Sequence, residues 1–222
     1  MPPLKDQLLT ALARPGERAA MAFLAAHPEI VYWGFARTCG HASYVLKEFP
    51  FGSNFRADFV VLHAYSGAWE VHFVELEPPK DKIITKKGVA SARLNQAVSQ
   101  IGDWRQFVEN NKALVQKDLA DWCIKKDLLG WFRDKCDPSN YTNDFLKDPG
   151  TFVWWHYHIV IGRRQTASGD IRRKMNQMGY TGYAEIKTFD RFIDIAGNFD
   201  RHHENPDLPV RLTETEDEKP TA

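Results

Sequence analysis

The stretch that decides the fold is Arg56-Ala57-Asp58-Phe59-Val60-Val61-Leu62-His63-Ala64-Tyr65-Ser66-Gly67-Ala68-Trp69-Glu70-Val71-His72-Phe73-Val74-Glu75-Leu76-Glu77. Its two halves alternate in polarity on either side of Ser66-Gly67, a two-residue turn that is typical of a β-hairpin. Pairing about this turn places Asp58 directly across from Glu75, with Cβ atoms ~4.5–5.5 Å apart. Because side chains repeat every second residue along a strand, Glu77 is predicted to lie on the same face.

The face that carries these three acids is otherwise apolar. Its other members are Val60, Leu62, Ala64, Trp69, Val71 and Phe73. Carboxylates crowded at the edge of an apolar surface repel one another and lose hydration, so they need a cation. Asp58, Glu75 and Glu77 are therefore predicted to bind Mg²⁺ or Mn²⁺, hard ions that prefer oxygen ligands and keep bound water.

A metal-independent scaffold is the alternative interpretation of the same acids. In it, the carboxylates point to solvent and pair with Arg56 and the lysines that follow the hairpin. The apolar neighbours of the three acids imply burial and so favour the metal site.

Bulk composition is that of an ordinary globular protein. The 222 residues suffice for one substantial core, with 43% hydrophobic and 26% charged residues. No apolar run approaches the ~20 residues of a membrane span, and the first residues lack the pattern of a secretory signal. The cysteines Cys39, Cys123 and Cys136 form no close metal-binding pair. We therefore expect a cytoplasmic protein that makes no membrane contact.

The formal net charge is zero, but the charge is unevenly distributed. Six acids and two bases lie between Glu204 and Ala222, so this segment carries −4 and the remainder carries +4. A charge of +4 is mild for a nucleic-acid-binding domain, so composition permits a polynucleotide partner without indicating one. The polar, acidic residues 201–222 are expected to be disordered.

The segments before and after the hairpin predict an α/β domain over residues 1–200. Helices are expected within Leu4–Ala26, broken at Pro15-Gly16, and strands around Val31–Ala36 and Tyr44–Phe49. After the hairpin come a helix over Ser91–Glu109, a helical insertion at about 112–150, an interior strand over Phe152–Ile161, a helix over Asp170–Met178, a strand over Tyr183–Lys187 and a helix over Phe189–Phe199. This order predicts a mixed central sheet flanked by helices.

The inserted segment is predicted to contain a helix over Lys112–Asp134 and a loop over Asp137–Gly150. The apolar positions expected to pack against the domain are Leu114, Leu119, Trp122, Leu128 and Leu129. The spacing is that of an amphipathic helix.

Several basic residues are candidates for contact with phosphate. Lys80 follows Glu77 by three residues and is a candidate for holding water or phosphate, with Lys82 beside it. Arg163 and Arg164 follow the apolar strand and could form part of a phosphate-binding rim. A solvated surface charge is the alternative for each.

Two amides and several histidines complete the candidates. Gln96 and Gln100 lie four residues apart on the predicted helix, so they share a face and could hold water or contact a base. His156 and His158 alternate on the apolar strand. With no cysteine pair or third histidine nearby, a structural role is favoured over a zinc site. The opposite face of the hairpin, which includes His63, is expected to be the more polar one.

An acid on one strand, Glu-x-Glu on the next and a following glutamine helix together resemble the PD-(D/E)xK nuclease fold. More narrowly, the chain resembles the Shedu-type anti-phage nucleases from about the first helix to Ala196. The stretches that carry this resemblance are Phe55–Val60, Val74–Pro79, Ala97–Trp104, Ile159–Arg164 and Thr188–Phe192. The resemblance implies a restriction-endonuclease-like core.

By resemblance, Asp58 and Glu75 would be metal ligands and the glutamine helix would border the cleft. The departure is Glu77, because the superfamily usually has lysine there, although some restriction endonucleases of this fold carry Glu-x-Glu. Glu77 could then be a further ligand or the base that accepts a proton from water. Lys80 or Lys82 could supply the missing cation, or catalysis has been lost.

The function expected from these features is Mg²⁺-dependent hydrolysis of DNA phosphodiesters in defence against phage, with RNA not excluded. Asp58, Glu75, Glu77, Lys80 and Gln100 are the expected catalytic residues. Gln96, Lys82, Arg163 and Arg164 are expected to contact nucleic acid. The alternative function is an inactive nuclease-fold module that binds nucleic acid or a partner protein. Assembly into homo-oligomers is suggested by analogy with the family.

Overall fold

The computed structural model describes residues 2–36, 40–131, 137–164, 173, 175 and 184–204. Six helices and five strands lie within these ranges. In chain order they are α1 (Leu4–Leu12), α2 (Arg18–Ala26), α3 (Pro28–Phe35), β1 (Ala42–Phe51), β2 (Phe55–Tyr65), β3 (Ala68–Leu76), α4 (Ala92–Asn110), α5 (Lys112–Lys126), β4 (Val153–Val160), β5 (Glu185–Lys187) and α6 (Asp190–Glu204).

The strands form one sheet in the order β1-β2-β3-β4-β5. The first three strands are antiparallel neighbours, whereas β4 runs parallel to both β3 and β5. The expected mixed sheet with flanking helices is thus confirmed.

The helices cover both faces of the sheet and make a separate core on each. One core, here called the α4 face, packs α4 and α5 against residues that include Val60, Leu62 and Phe73. The other, here called the α3 face, packs α1, α2, α3 and α6 against residues that include Phe59 and Val74. Adjacent residues of one strand therefore belong to different cores, as the two-residue period of a strand requires.

The hairpin forms in the predicted register. Tyr65 pairs with Ala68 at the turn and Phe59 pairs with Val74 at the far end of the ladder. Gly67 has a φ of +80°, a left-handed conformation that glycine adopts without steric cost. The next pair in this register is Asp58 and Glu75, so the predicted apposition of the two acids is confirmed.

The predicted strand over Val31–Ala36 is wrong, because these residues belong mainly to α3. The apolar run fits a buried strand and a buried helix equally well, and Pro28 at the first helical position is compatible with the helix. Gly34 allows close packing on α6, since a Cβ atom there would lie 2.6 Å from the ring of Phe192. Contacts distant in sequence thus determine this element.

The helix predicted over Ser91–Glu109 is confirmed as α4. Ser91 caps it, because its hydroxyl oxygen accepts a hydrogen bond from the backbone N–H of Leu94 at 3.1 Å. The helix predicted over Lys112–Asp134 is shorter, since α5 ends at Lys126. Leu119 packs in the core as expected, but the prediction for Leu114 is wrong, since it is 49% exposed.

The C-terminal elements follow the predicted order. The strand β4 lies inside the sheet as predicted, between β3 and β5. The last helix continues past Phe199 to Glu204. Of the helix predicted over Asp170–Met178, only residues 173 and 175 are described, and the tail beyond Glu204 lies outside the described residues.

The candidate acids lie at the strand ends along one side of the sheet. The parallel strands β3 and β4 both end there, and the antiparallel β2 begins there. The backbone N–H of Glu77 donates to the carbonyl of Val160 at 2.9 Å, which fixes this edge. Asp58, Glu75 and Glu77 are therefore brought to one rim, beside the first turns of α4.

Candidate active site

Asp58 is anchored across the hairpin. A carboxylate oxygen accepts a hydrogen bond from the backbone N–H of Leu76 at 2.7 Å. This bond continues the β2–β3 register by one further step and holds the carboxylate beside Glu75. The acid is thus positioned by strand backbone, which is more rigid than a loop.

Glu75 is joined to the glutamine helix. The side-chain amide of Gln100 donates to its carboxylate at 3.0 Å. The predicted proximity of Gln100 to the acids is confirmed, whereas Gln96, one turn earlier on α4, is exposed. Packing of Ala97 and Ile101 in the core orients α4 so that Gln100 faces the rim.

Glu77 is only 6% exposed and has a cationic partner that the sequence interpretation missed. The Nε atom of Arg93, in the first turn of α4, lies 2.7 Å from the Glu77 carboxylate and 3.8 Å from that of Asp81. Arg93 precedes Gln100 by seven residues, so the two share one face of α4. That helical spacing was the available signal for Arg93.

Burial raises the pKa of all three carboxylates, and nearby acids raise it further. Burial and the charges of Asp58 and Glu77 raise the pKa of Glu75 to about 9, although the hydrogen bond from Gln100 lowers it. Burial raises the pKa of Glu77 to about 7, against the lowering effect of Arg93. Burial likewise raises the pKa of Asp58 to about 6, while the Leu76 N–H lowers it. A cation among them would relieve this repulsion.

Glu17 adds a fourth negative charge to the rim. It is half-buried at the start of α2, and its charge raises the pKa of Asp58, Glu75 and Glu77 alike. The sequence favours a solvated glutamate at this position. Only the packing of α2 against the sheet brings it toward the acids.

The basic residues expected at the site have other partners. The ammonium of Lys80 donates to the carbonyl of Ala13 at 2.5 Å, just after α1, and Lys82 is exposed. Arg163 lies 3.3 Å from the carboxylate of Asp190 in α6. Their contacts with nucleic acid stay predictions.

Arg164 and Arg56 are likewise paired with acids. Arg164 lies 2.7 Å from the carboxylate of Asp194. Arg56, the expected partner of the acids in the scaffold alternative, lies 3.9 Å from Glu48 instead. The rim acids are thus balanced by Arg93, which that alternative did not include.

The α3 face of the hairpin carries the polar residues His63, Glu70 and His72 as expected, but helices cover it and His63 is 1% exposed. The expectation that His156 and His158 have no third histidine nearby is wrong. A third histidine does lie near His156 and His158, since His72 stacks on both rings at centroid distances of 4.6 and 5.2 Å. Strand pairing, which the isolated β4 sequence does not show, brings these rings together.

Comparison with known proteins places the chain in a family. The family model described as "Shedu protein SduA, C-terminal" matches residues 16–193. The chain belongs to the Shedu family. A search of curated proteins gave no match.

The Shedu match spans every element of the candidate site. It includes Glu17 at the start of α2, the whole hairpin, α4 with Arg93 and Gln100, and the end of β4. Within the described part of the chain, none of the helices combines the length and apolar character that crossing a bilayer requires.

The chemistry available at this rim follows from its donors. Three carboxylates line this rim beside one amide and one guanidinium, and carboxylate oxygens are ligands that Mg²⁺ and Mn²⁺ prefer. The type of donor therefore fits the predicted ion. The side chain of Arg93 is 45% exposed, so its guanidinium is open to solvent as well as paired with Glu77.

Proposed function

We propose that this Shedu-family chain is a Mg²⁺-dependent nuclease with a restriction-endonuclease-like core that hydrolyses DNA phosphodiesters in defence against phage. The observation that carries the proposal is the apposition of Asp58 and Glu75 across the β2–β3 register, at the rim where Glu77 is also buried. Family membership supports the defence role.

Each residue of the rim has its own role in the proposed reaction. Asp58 and Glu75 would hold the ion, with Glu77 as a further ligand or as the base that takes a proton from water. A bound Mg²⁺ would polarise the phosphate and lower the pKa of water. Gln100, bonded to Glu75, holds that carboxylate in place and orients water. Arg93 supplies the positive charge that lysine supplies elsewhere in the PD-(D/E)xK superfamily.

The test compares wild type with Asp58→Asn on linear and nicked DNA with Mg²⁺ or Mn²⁺. Asparagine retains an oxygen for the Leu76 N–H but removes the charge, so the hairpin should persist. We expect cleavage to fall by at least ~100-fold. Asp103→Asn, which changes an exposed acid on α4, is the matched control and should cleave as wild type does.

The proposal would be abandoned if wild type and Asp58→Asn cleaved DNA equally well in preparations free of contaminating nucleases. Cleavage of RNA but not DNA would retain the chemistry and change the substrate. Lys82→Ala and Gln96→Ala, which alter exposed groups beside the rim, should weaken DNA binding without removing cleavage at saturating DNA.

An inactive binding module is the second candidate. The observation that favours it is the Glu77–Arg93 pair at 2.7 Å, which neutralises an acid that could otherwise serve the ion or the water. This candidate predicts DNA binding that persists in a chelator and survives Glu75→Gln. Fluorescence anisotropy with labelled DNA, with and without Mg²⁺, distinguishes the two functions.

A further inference from the structure

A second cluster of metal-binding side chains lies on the α3 face of the sheet. His63 on β2 pairs directly with Glu70 on β3, and His72 follows on the same face two residues later. One potential ligand atom from each of the three lies within 4.8 Å of the others. All three are placed by strand backbone, so their relative positions are fixed.

Two of the three distances between ligand atoms match those around a tetrahedral ion, and the third is no longer than 4.8 Å. The Nε2 atoms of His63 and His72 lie 3.2 and 3.3 Å from the same carboxylate oxygen of Glu70. Ligands at ~2.0–2.1 Å from zinc stand ~3.3–3.4 Å apart at the corners of a tetrahedron. Charge-assisted hydrogen bonds are shorter, at ~2.7–2.9 Å. We propose that His63, Glu70 and His72 bind a zinc ion.

A chain of polar contacts behind His72 fits this assignment. Its Nδ1 lies 2.9 Å from Nε2 of His158, and Nδ1 of His158 lies 3.4 Å from the carboxylate of Glu185. If Nε2 of His72 binds the ion, its Nδ1 carries the proton and donates to His158, which in turn points its own N–H toward Glu185. Zinc-bound histidines are usually oriented by such a chain.

If His72 and His158 are both neutral and no cation is bound, no combination of their tautomers satisfies the contacts with both Glu70 and Glu185. If His72 donates from Nε2 to Glu70, its Nδ1 must accept from His158, and the bare Nδ1 of His158 then faces the Glu185 carboxylate. Two acceptors facing each other in a buried site are unfavourable. The ammonium of Lys187 already pairs with Glu185 at the far end of this chain, but it does not supply a donor between His72 and Glu70. A metal ion bound by His72, or an extra proton on the chain, would remove the conflict.

The surroundings leave one direction open for a fourth ligand. His63 and His72 are 1% and 5% exposed, and the ring of Phe35 lies 6.2 Å from that of His72 on the helix side. The side chain of Glu70 is 25% exposed. A water molecule can therefore complete the coordination from the Glu70 side. The ion would tie β2 to β3 beneath α3.

The zinc site is independent of the proposed Mg²⁺ site. His63 lies five residues after Asp58 along β2, which corresponds to ~17 Å, and its side chain points to the other face. The donors also differ in kind, since imidazole nitrogen favours zinc whereas all-carboxylate sites favour Mg²⁺. Each site can therefore be tested while the other is intact.

The test is metal titration of the full chain after removal of bound metal with a chelator. Zn²⁺ is titrated by calorimetry and Co²⁺ by its visible absorption, which is intense in four-coordinate sites. We expect one equivalent to bind. Glu70→Gln and His72→Gln should each weaken zinc binding by more than the ~10–100-fold that is typical when a residue that only orients a ligand is altered. Circular dichroism checks that both variants remain folded.

Glu75→Gln is the matched control, because it alters the other carboxylate cluster and should leave zinc binding unchanged. Two results would overturn the proposal. One is zinc affinity that is insensitive to Glu70→Gln and His72→Gln, whether or not Glu75→Gln changes it. The other is failure of folded wild type to bind Zn²⁺ or Co²⁺, which would assign the extra positive charge to a proton.

Discussion

Glu75 is the rim residue whose protonation differs most from that of a solvated carboxylate. Its pKa is raised from 4.5 to about 9 by burial and by neighbouring acids. The folded state therefore binds a proton more tightly than the unfolded state does. As pH rises from about 4.5 to 9 the folded state must give up that proton at a cost, so this group lowers the free energy of unfolding progressively.

Replacing Glu75 with a neutral residue should remove the free-energy cost of deprotonating it in the folded state. In chelator, Glu75→Gln should be more stable than wild type, by a difference that is near zero at pH 5 and grows toward pH 9. Each unit of pKa difference corresponds to ~1.4 kcal/mol, so the difference should reach a few kcal/mol. Urea unfolding at several pH values measures it. Glu109→Gln, at an acid whose side chain is 55% exposed, is the control and should show no such trend.

Mg²⁺ should reverse the order of stability of the two proteins. Wild type should gain stability from the ion, whereas Glu75→Gln should gain little because it lacks a ligand.

In the pH series without metal, a stability difference between wild type and Glu75→Gln that does not change with pH would contradict the assigned burial of charge at Glu75.

Arg93 is the second residue whose environment yields a prediction. Its guanidinium is the cation nearest to Glu77, and its removal would leave that buried acid without its partner. Under the proposed function, Arg93→Ala should lower DNA cleavage by at least ~10-fold, and Arg93→Lys should recover part of it. Steady-state cleavage rates at saturating Mg²⁺ provide the measurement.

Arg105 offers a matched control for Arg93. It lies on the same helix, is similarly exposed, and pairs with Glu109 at 3.0 Å. Arg105→Ala should leave cleavage near the wild-type rate. If the two alanine variants cleave equally well, Arg93 has no part in the reaction.

At the scale of elements, α4 is the helix that carries both Arg93 and Gln100. Its first turn is held by the Ser91 cap, and its buried face is built from Leu94, Ala97 and Ile101. The Ser91 cap therefore helps to hold Arg93 in its position beside the acids of the rim. Loss of the cap should loosen the turn that contains Arg93.

Ser91→Ala should lower the free energy of unfolding by ~1 kcal/mol, because the Leu94 N–H loses its acceptor. Ser99→Ala changes an exposed serine within the same helix and should be neutral or slightly stabilising, since alanine is the better helix former. Urea midpoints compare the two variants. Equal destabilisation by both would mean that the cap contributes nothing specific.

At the scale of the whole molecule, the two cores share one sheet. Phe59 and Phe73 lie on neighbouring strands, are both fully buried, and belong to the α3 face and the α4 face respectively. Neither core can lose its packing without affecting strands that line the other. The described chain should therefore unfold as one cooperative unit.

Phe59→Ala and Phe73→Ala should each lower stability by ~3–5 kcal/mol. In both variants the unfolding curves from tryptophan fluorescence and circular dichroism should coincide. Two separate transitions in either variant would show that the faces unfold independently.

The sequence by itself determined the hairpin, its register and the convergence of Asp58 with Glu75. Strand alternation and a two-residue turn are local, so their consequences can be worked out from neighbouring residues alone. The resemblance to the Shedu family also rested on short ordered motifs, and the family model confirmed it. Local signals likewise predicted the extent of α4.

The tertiary structure alone decided that Val31 lies in a helix, that Arg93 partners Glu77, and that His72 lies beside His158. These outcomes depend on packing between segments far apart in sequence. A short apolar run is compatible with a strand or a helix until its packing partners are known. The pair between Arg93 and Glu77 forms only when α4 packs against the sheet. The sequence therefore specified the acids at the rim, and the fold supplied their cation and the second, histidine-rich cluster.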